Sequence, residues 1–171
     1  HIAGSKRLVH ALCIDREIDF GCDFAFLTVL PELSRSEENF NLLEMKRIKA
    51  GLVSVPAEIG PDDLPQEGRL ERDAIDFDKG CYLGQEVMAR IHAMGRVRRL
   101  AFPVIWNGTE LPAFPCPLFY GDKKKGILKS LHQVNAGESI GIALIHESAL
   151  DNLKSEGLTI QGITDGRIQM A

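Results

Sequence analysis

From Arg96 to Ala171 turn-forming residues recur so often that no long helix fits between them. Asn107-Gly108, the prolines at 112, 115 and 117, Gly126 and Asp165-Gly166 cut this region into short segments. Asn-Gly is a strong two-residue hairpin signal, because both central residues of that turn take positive φ. The prolines favour extended edges or loops over helix. Arg96 to Ile105 reads as a strand, with Val97, Ala101 and Ile105 alternating against charged neighbours. Ser139 to Ile145 reads as an apolar strand. Leu158 to Ile163 and Arg167 to Met170 read as short strands around an Asp165-Gly166 turn. Lys123-Lys124-Lys125-Gly126 reads as a turn with a solvated charge cluster, and Ser148 to Glu156 as a short helix or turn. Several short strands with frequent turns predict a small β-barrel.

The first half has a different grain. Leu8 to Ile14 and Phe24 to Leu30 read as strands joined by an acidic, irregular connection that turns at Gly21. Cys13 and Cys22 read as small buried hydrophobes. Ser34 to Ala50 is the clearest helix. Ser34 and Glu37 have capping-box spacing. Phe40, Leu43, Arg47 and Ile48 fall along one side, and Leu42 and Met45 widen the stripe. Lys46, Arg47 and Lys49 suit the negative end of the helix dipole, and Gly51 is a natural stop. Residues 52 to 70, with Pro56, Gly60-Pro61 and Pro65, read as a long loop of the kind that often carries function. Asp73 to Phe77 reads as a short strand or bend, and Glu86 to Met94 as a short helix with Val87, Ile91 and Met94 on one face, ended by Gly95.

Between these lies Lys79-Gly80-Cys81-Tyr82-Leu83-Gly84-Gln85-Glu86. It fits neither helical nor strand periodicity. Two glycines, a thiol, a phenol, a carboxamide and a carboxylate in eight positions suit a functional loop held on a rigid scaffold. A cation such as Lys79 or a nearby helix N-terminus would favour the thiolate of Cys81, whereas a close Glu86 would oppose it. The other reading of Cys81 is a thiol packed beneath the loop. Tyr82 would stack on a flat ring or fill a gap. Gln85 and Glu86 would contact a ligand or brace the loop. His92 is near enough in sequence to serve as a general base, or lies at the surface. Arg96, Arg98 and Arg99 form either a basic patch for RNA or an acidic partner, or the solvated face of an edge strand.

Composition narrows the classes. A net charge of −4 over 171 residues argues against nonspecific nucleic-acid binding by the whole surface. The four cysteines, Cys13, Cys22, Cys81 and Cys116, contain no Cys-x-x-Cys pair and read as reduced thiols. No apolar run reaches the roughly 18 residues of a membrane span. Cys81 with His92 has no zinc-like spacing.

The string Lys-Gly-Cys-Tyr-x-Gly-Gln-Glu, continued by Ala89-Arg90, His92-Ala93-Met94-Gly95 and Arg96-Val97-Arg98-Arg99, resembles the signature of the YgfZ-type folate-binding family. That family is a branch of the aminomethyltransferase superfamily. The likeness covers residues 37 to 106 well and the remainder loosely. It implies an α+β chain: the C-terminal half of an aminomethyltransferase-like folate-binding domain over residues 1–95, then a C-terminal β-barrel domain over residues 96–171. Because the chain starts at His1 and enters mid-fold, a portion before it is expected.

The resemblance further implies tetrahydrofolate, or a one-carbon derivative, as cofactor. Partners would be iron–sulfur proteins or their assembly machinery, in a bacterial cytoplasm or a mitochondrial matrix. Cys81 becomes the reactive group. Pro65-Gln66-Glu67 is similar to the Pro-x-Glu element whose Glu accepts hydrogen bonds from the pterin, and Arg47 or Lys49 would meet the glutamate-tail carboxylate. Lys79, Tyr82, Gln85 and Glu86 complete the expected contacts. The leading expectation is thus a folate-binding accessory protein of iron–sulfur assembly or repair. The alternative is an aminomethyltransferase moving a one-carbon unit to tetrahydrofolate.

Overall fold

The computed structural model describes residues 16–18, 25–27, 37–72, 74–75, 77, 80–82, 84–95, 97–135 and 137–171. The expected strand at 8–14, Cys13, Cys22, Ser34 and Lys79 lie outside them. A short antiparallel ladder joins β1 (Arg16–Ile18) to β2 (Ala25–Leu27). β1 therefore occupies part of the stretch expected to be irregular.

Six later strands close into an antiparallel barrel. They are β3 (Arg99–Trp106), β4 (Cys116–Tyr120), β5 (Lys123–Asn135), β6 (Glu138–His146), β7 (Leu158–Ile160) and β8 (Ile163–Met170). Their order around the barrel is β3-β6-β5-β4-β7-β8. Closure leaves no edge strand in the barrel, so Arg99, the first residue of β3, is not on a solvated edge, and Arg96 lies outside the described residues. β5 is thirteen residues long and bends through register shifts at Leu128/Ser130 and Gln133/Asn135. Such bulges coil a strand enough to close a small barrel. Gly141 allows one of these close approaches, since a Cβ there would fall 1.9 Å from the Ser130 carbonyl oxygen.

β6 explains why its sequence reads as a continuous apolar run. Ala143 and Ile145 join Val104, Trp106, Leu118, Leu128 and Ile168 in the barrel interior. Ile140, Ile142 and Leu144 point outward and remain buried, because Ile48, Val53 and Ile59 pack over them with Ala101. That second layer is a lobe made by helix α1 (Glu37–Lys49) and the segment after it. Met45 and Ile48 carry the α1 face that meets the barrel. Helix α2 (Gln85–Met94) follows the signature, and α3 (Leu150–Ser155) sits against the barrel with Leu153 fully buried.

Three turn readings need correction. Asn107-Gly108 does not join two paired strands, because β3 pairs with β6 and β8 and the chain runs on through a long loop to β4. Asp165-Gly166 does not separate two strands either. It lies within β8, and the β7–β8 turn is at Gln161-Gly162, where Gly162 takes φ +86. The two signals instead meet each other. The Asn107 side-chain oxygen accepts the Arg167 amide at 2.8 Å, and the Asp165 carboxylate accepts the Thr109 amide at 3.0 Å and the Thr109 hydroxyl. Gly108 and Gly166 are small because both lie against the buried Trp106 ring. The lysine run also shifts: Lys123 to Lys125 begin β5, and the turn before them is Gly121-Asp122. In α2 the buried position is Met88, at 8%, whereas Val87 is 56% exposed.

An added methyl at Gly166 would fall 2.5 Å from the Trp106 ring and 2.6 Å from the Gly108 Cα. Gly166→Ala is therefore expected to cost about 1–3 kcal/mol through overpacking. Urea unfolding followed by Trp106 fluorescence reads this directly, and an unchanged midpoint would refute the close-packing account.

Candidate functional site

α1 ends in a buried ionic knot. Gly51 takes φ +68 and turns the chain back so that the Leu52 carbonyl accepts from Arg47. The Arg47 guanidinium, 4% exposed, forks onto Glu58 at 2.7 and 2.8 Å and reaches Glu44 at 3.1 and 3.2 Å. Glu58 is 1% exposed and also accepts the Ser54 amide at 2.6 Å and the Ser130 hydroxyl at 2.5 Å. Ser130 sits at the β5 bulge and its oxygen accepts the Ile142 amide at 3.3 Å. Arg47 is thus not a solvated partner of the helix dipole. Its guanidinium is turned to two carboxylates and a carbonyl of the chain itself.

A second network lies along the same seam. Pro65–Gly68 forms a short 3-10 turn, with proline at the position where a missing amide hydrogen costs least. Its Glu67 is 4% exposed, so it is not an open loop acid. Glu67 accepts the Leu64 amide at 3.0 Å and is gripped by Arg99 at 2.5 and 3.0 Å. Arg99 lies on the outward face of β3 and also reaches Asp63 at 3.2 Å. Asp63 accepts the Lys129 ammonium at 2.5 Å and the Gly60 amide at 3.0 Å. Burial pushes the Asp63 carboxyl up, but Lys129, the Gly60 amide and Arg99 together outweigh it and hold the pKa below its ordinary value. Glu58, Asp63 and Lys129 were not marked as site residues by the sequence. Asp63 sits between Gly60-Pro61 and Pro65 in the loop, and no spacing ties Glu58 to a strand 72 positions away.

Two cavities open where this seam meets the start of β3. One, of about 510 Å³, is lined by Leu64, Glu67, Val97, Arg98, Arg99, Lys124, Gly126, Ile127 and His146. The other, of about 400 Å³, shares Val97, Arg98 and Arg99 and adds Gln66, Glu71, Leu100, Phe102, Ile145 and Leu150 among its walls. Arg69 lies over the Phe102 ring at 5.1 Å. The Gln66 Oε1 and one Glu71 carboxylate oxygen are buried without a hydrogen-bond donor.

The signature loop is fastened at both ends. Phe77 before it stacks on His92 after it, with ring centroids 4.2 Å apart. This gives His92 a packing role at the surface. Gly84 takes φ +87 and starts α2, and the Gln85 amide donates to the Tyr82 carbonyl at 3.2 Å. Cys81 is exposed, Tyr82 and Gln85 are half-buried, and Glu86 is exposed. The Gln66 amide reaches the Met88 sulfur at 3.4 Å, so α2 packs beside the Glu67 turn. The structure therefore brings the signature helix next to the Pro65–Gly68 turn. Arg47 belongs to a separate network. Cys81 is not among the described residues lining either cavity. Cys116, in β4, is half-buried and its pKa is raised by that burial. No group of three or more His, Cys, Asp or Glu among the described residues is placed to hold a metal ion.

A lobe of helices and turns clamped to a closed barrel, presenting a thiol on a glycine-flanked loop, makes this a mixed α+β protein. No family model matches the chain. It is similar to iron–sulfur cluster assembly factors of the IBA57 type. The mitochondrial homologue of Coccidioides immitis is 35% identical over 82 residues, covering 47% of this chain and 19% of that protein. The Eremothecium gossypii homologue is 42% identical over 62 residues, covering 34% of this chain and 13% of the relative. Human IBA57 is 50% identical over 42 residues, 24% of this chain and 12% of the human protein. The matched stretch thus spans about a fifth or less of each of these relatives.

Removing one partner of a buried ion pair leaves the other uncompensated. Glu58→Ala is expected to destabilise the chain by about 3–5 kcal/mol, and denaturant unfolding at neutral pH measures it. A loss below 1 kcal/mol would mean water replaces the lost carboxylate. The Asp63 network carries a pH signature. Its depressed pKa means the stabilisation is complete above the ordinary value of 3.8 and disappears as pH falls through the folded value. Asp63→Asn should therefore be less stable than the parent at neutral pH and should flatten the fall in stability below about pH 4. Parallel stability curves for the two proteins across that range would disprove it.

Proposed function

We propose that this chain handles clusters in iron–sulfur assembly, in the mitochondrial matrix, with Cys81 as the contact group. The observation that carries the reading is the exposed Cys81 thiol on a loop pinned by the Phe77–His92 stack and the Met88–Gln66 contact. The relatives named as mitochondrial iron–sulfur cluster assembly factors support it. The cluster is cargo. Cys81 loses its proton to solvent and its sulfur bonds to a cluster iron as that iron's bond to a donor thiolate breaks. This is a ligand exchange with no change of oxidation state. Partners are the proteins that deliver and receive the cluster.

Tetrahydrofolate is part of the same proposal, with a changed set of holding residues. Glu67 and Arg47 already pair with Arg99 and Glu58. The fit lies with Gln66 and Glu71, whose donor-free buried oxygens line the cavity of about 400 Å³ beside Phe102 and Leu150. A pterin edge presents N–H donors, and those acceptors would hold it against apolar walls. When bound, the folate would supply one-carbon or electron-transfer chemistry.

Cys81→Ser should slow cluster transfer to an acceptor apoprotein by about tenfold or more, the equivalent of losing one ligand interaction of about 1.4 kcal/mol. Transfer at the parental rate would make Cys81 structural. Glu71→Leu, which leaves the Met88–Gln66 contact in place, should weaken tetrahydrofolate binding while leaving cluster transfer intact, so the two halves of the reading fail separately.

A further inference from the structure

The cavity of about 510 Å³ has an unusual charge balance. Its one acidic lining residue among those described, Glu67, is already neutralised by Arg99. Arg98 and Lys124 also line it, and neither has an ion-pair partner among the described residues. His146, the last residue of β6, adds an imidazole opposite Arg99 in the ladder. Leu64, Val97 and Ile127 supply apolar walls. Two uncompensated cations facing one concave, partly apolar space repel each other and focus a positive potential into it. An oxyanion would relieve that repulsion and accept several charge-assisted hydrogen bonds at once.

We propose that this cavity is an oxyanion site, taking a carboxylate or phosphate group on Arg98 and Lys124, with His146 as a third donor. The site is built where the barrel meets the lobe. Arg98 immediately precedes β3, Lys124 stands near the start of β5, and His146 closes β6. Arg99 and Glu67 fix the floor between them by pairing with each other. The site does not depend on folate or on Cys81, and it extends the seam's chemistry to a ligand class that neither requires.

The test is a titration of inorganic phosphate into the 171-residue chain at constant ionic strength, read by phosphorus NMR line width. Constant ionic strength removes the screening that would mimic weak competition. Saturable broadening is expected. Arg98→Gln and Lys124→Gln should each weaken it about tenfold, whereas Lys123→Gln and Lys154→Gln, exposed lysines that do not line the cavity, should leave it unchanged. Thermal melts confirm that each variant is folded, since neither Arg98 nor Lys124 is buried. A parallel titration with glutarate separates the sources: displacement of phosphate at lower concentration assigns the site to carboxylates, and the reverse assigns it to phosphate groups. No saturable binding of either anion, or equal affinity in all four variants, would overturn the proposal.

Discussion

The Arg47–Glu58 pair is the constraint on which the lobe depends. Both groups are almost fully removed from water. Taking them there costs several kcal/mol per ion unless every donor and lone pair finds a partner. The chain meets that demand from four places at once: Glu44 one turn back, the Leu52 carbonyl, the Ser54 amide and the Ser130 hydroxyl on the barrel. Replacing a buried ion pair by an apolar pair of equal volume is often neutral or stabilising. What the ions add is a single permitted register. If the loop slipped by one residue, Ser54 and Ser130 would miss the carboxylate and the charges would be stranded. The apolar layer of Ile48, Val53 and Ile59 over Ile140, Ile142 and Leu144 supplies the attraction, and the ion pair decides where it lands.

The second network follows from the first and sits nearer to solvent. Once the loop after α1 is fixed, Asp63 and Glu67 fall opposite Lys129 and Arg99 on the outward faces of β5 and β3. Arg99 lines both cavities and Glu67 lines one, so the pair that binds lobe to barrel also shapes the space between them. This explains why Glu67 is buried although the turn that carries it is rich in proline and glycine. A carboxylate gripped by a forked guanidinium has little capacity left for a ligand. The ligand contacts proposed along this seam, Gln66 and Glu71 on one side and Arg98 and Lys124 on the other, lie outside the two ionic networks.

Local chemistry in the sequence was a good guide where one residue's conformation decides the structure. Gly51 and Gly95 end their helices at positive φ, and the apolar run after Ser139 is a strand. The barrel was legible from the density of turns. Its closure order was not, since Asn107-Gly108 and Asp165-Gly166 look like independent hairpin turns until β3 and β8 are seen to be neighbours. Pairing between strands 60 positions apart leaves no local trace. The same holds for charge. Arg47 has the composition of a solvated helix end, and only the distant Glu58 and Ser130 reveal it as buried. Arg99 looked like part of a basic run, yet it differs from Arg98 because outward-facing β3 positions meet the lobe.

The ligand exchange proposed for Cys81 asks opposite things of the thiol's surroundings. The thiol must be reachable, so it cannot lie within a packed core, and it must be held in place, so it cannot lie on a free tail. The signature satisfies both by anchoring its flanks rather than its centre. Phe77 and His92 close the base of the loop, Gly84 turns the chain directly into α2, and Met88 seats that helix against Gln66. Gln66 in turn belongs to the Pro65–Gly68 turn, whose Glu67 is fixed to β3 by Arg99. The placement of Cys81 therefore runs through Met88, Gln66 and Glu67 to the barrel. Arg99 stabilises that chain of contacts from a position that never touches the thiol.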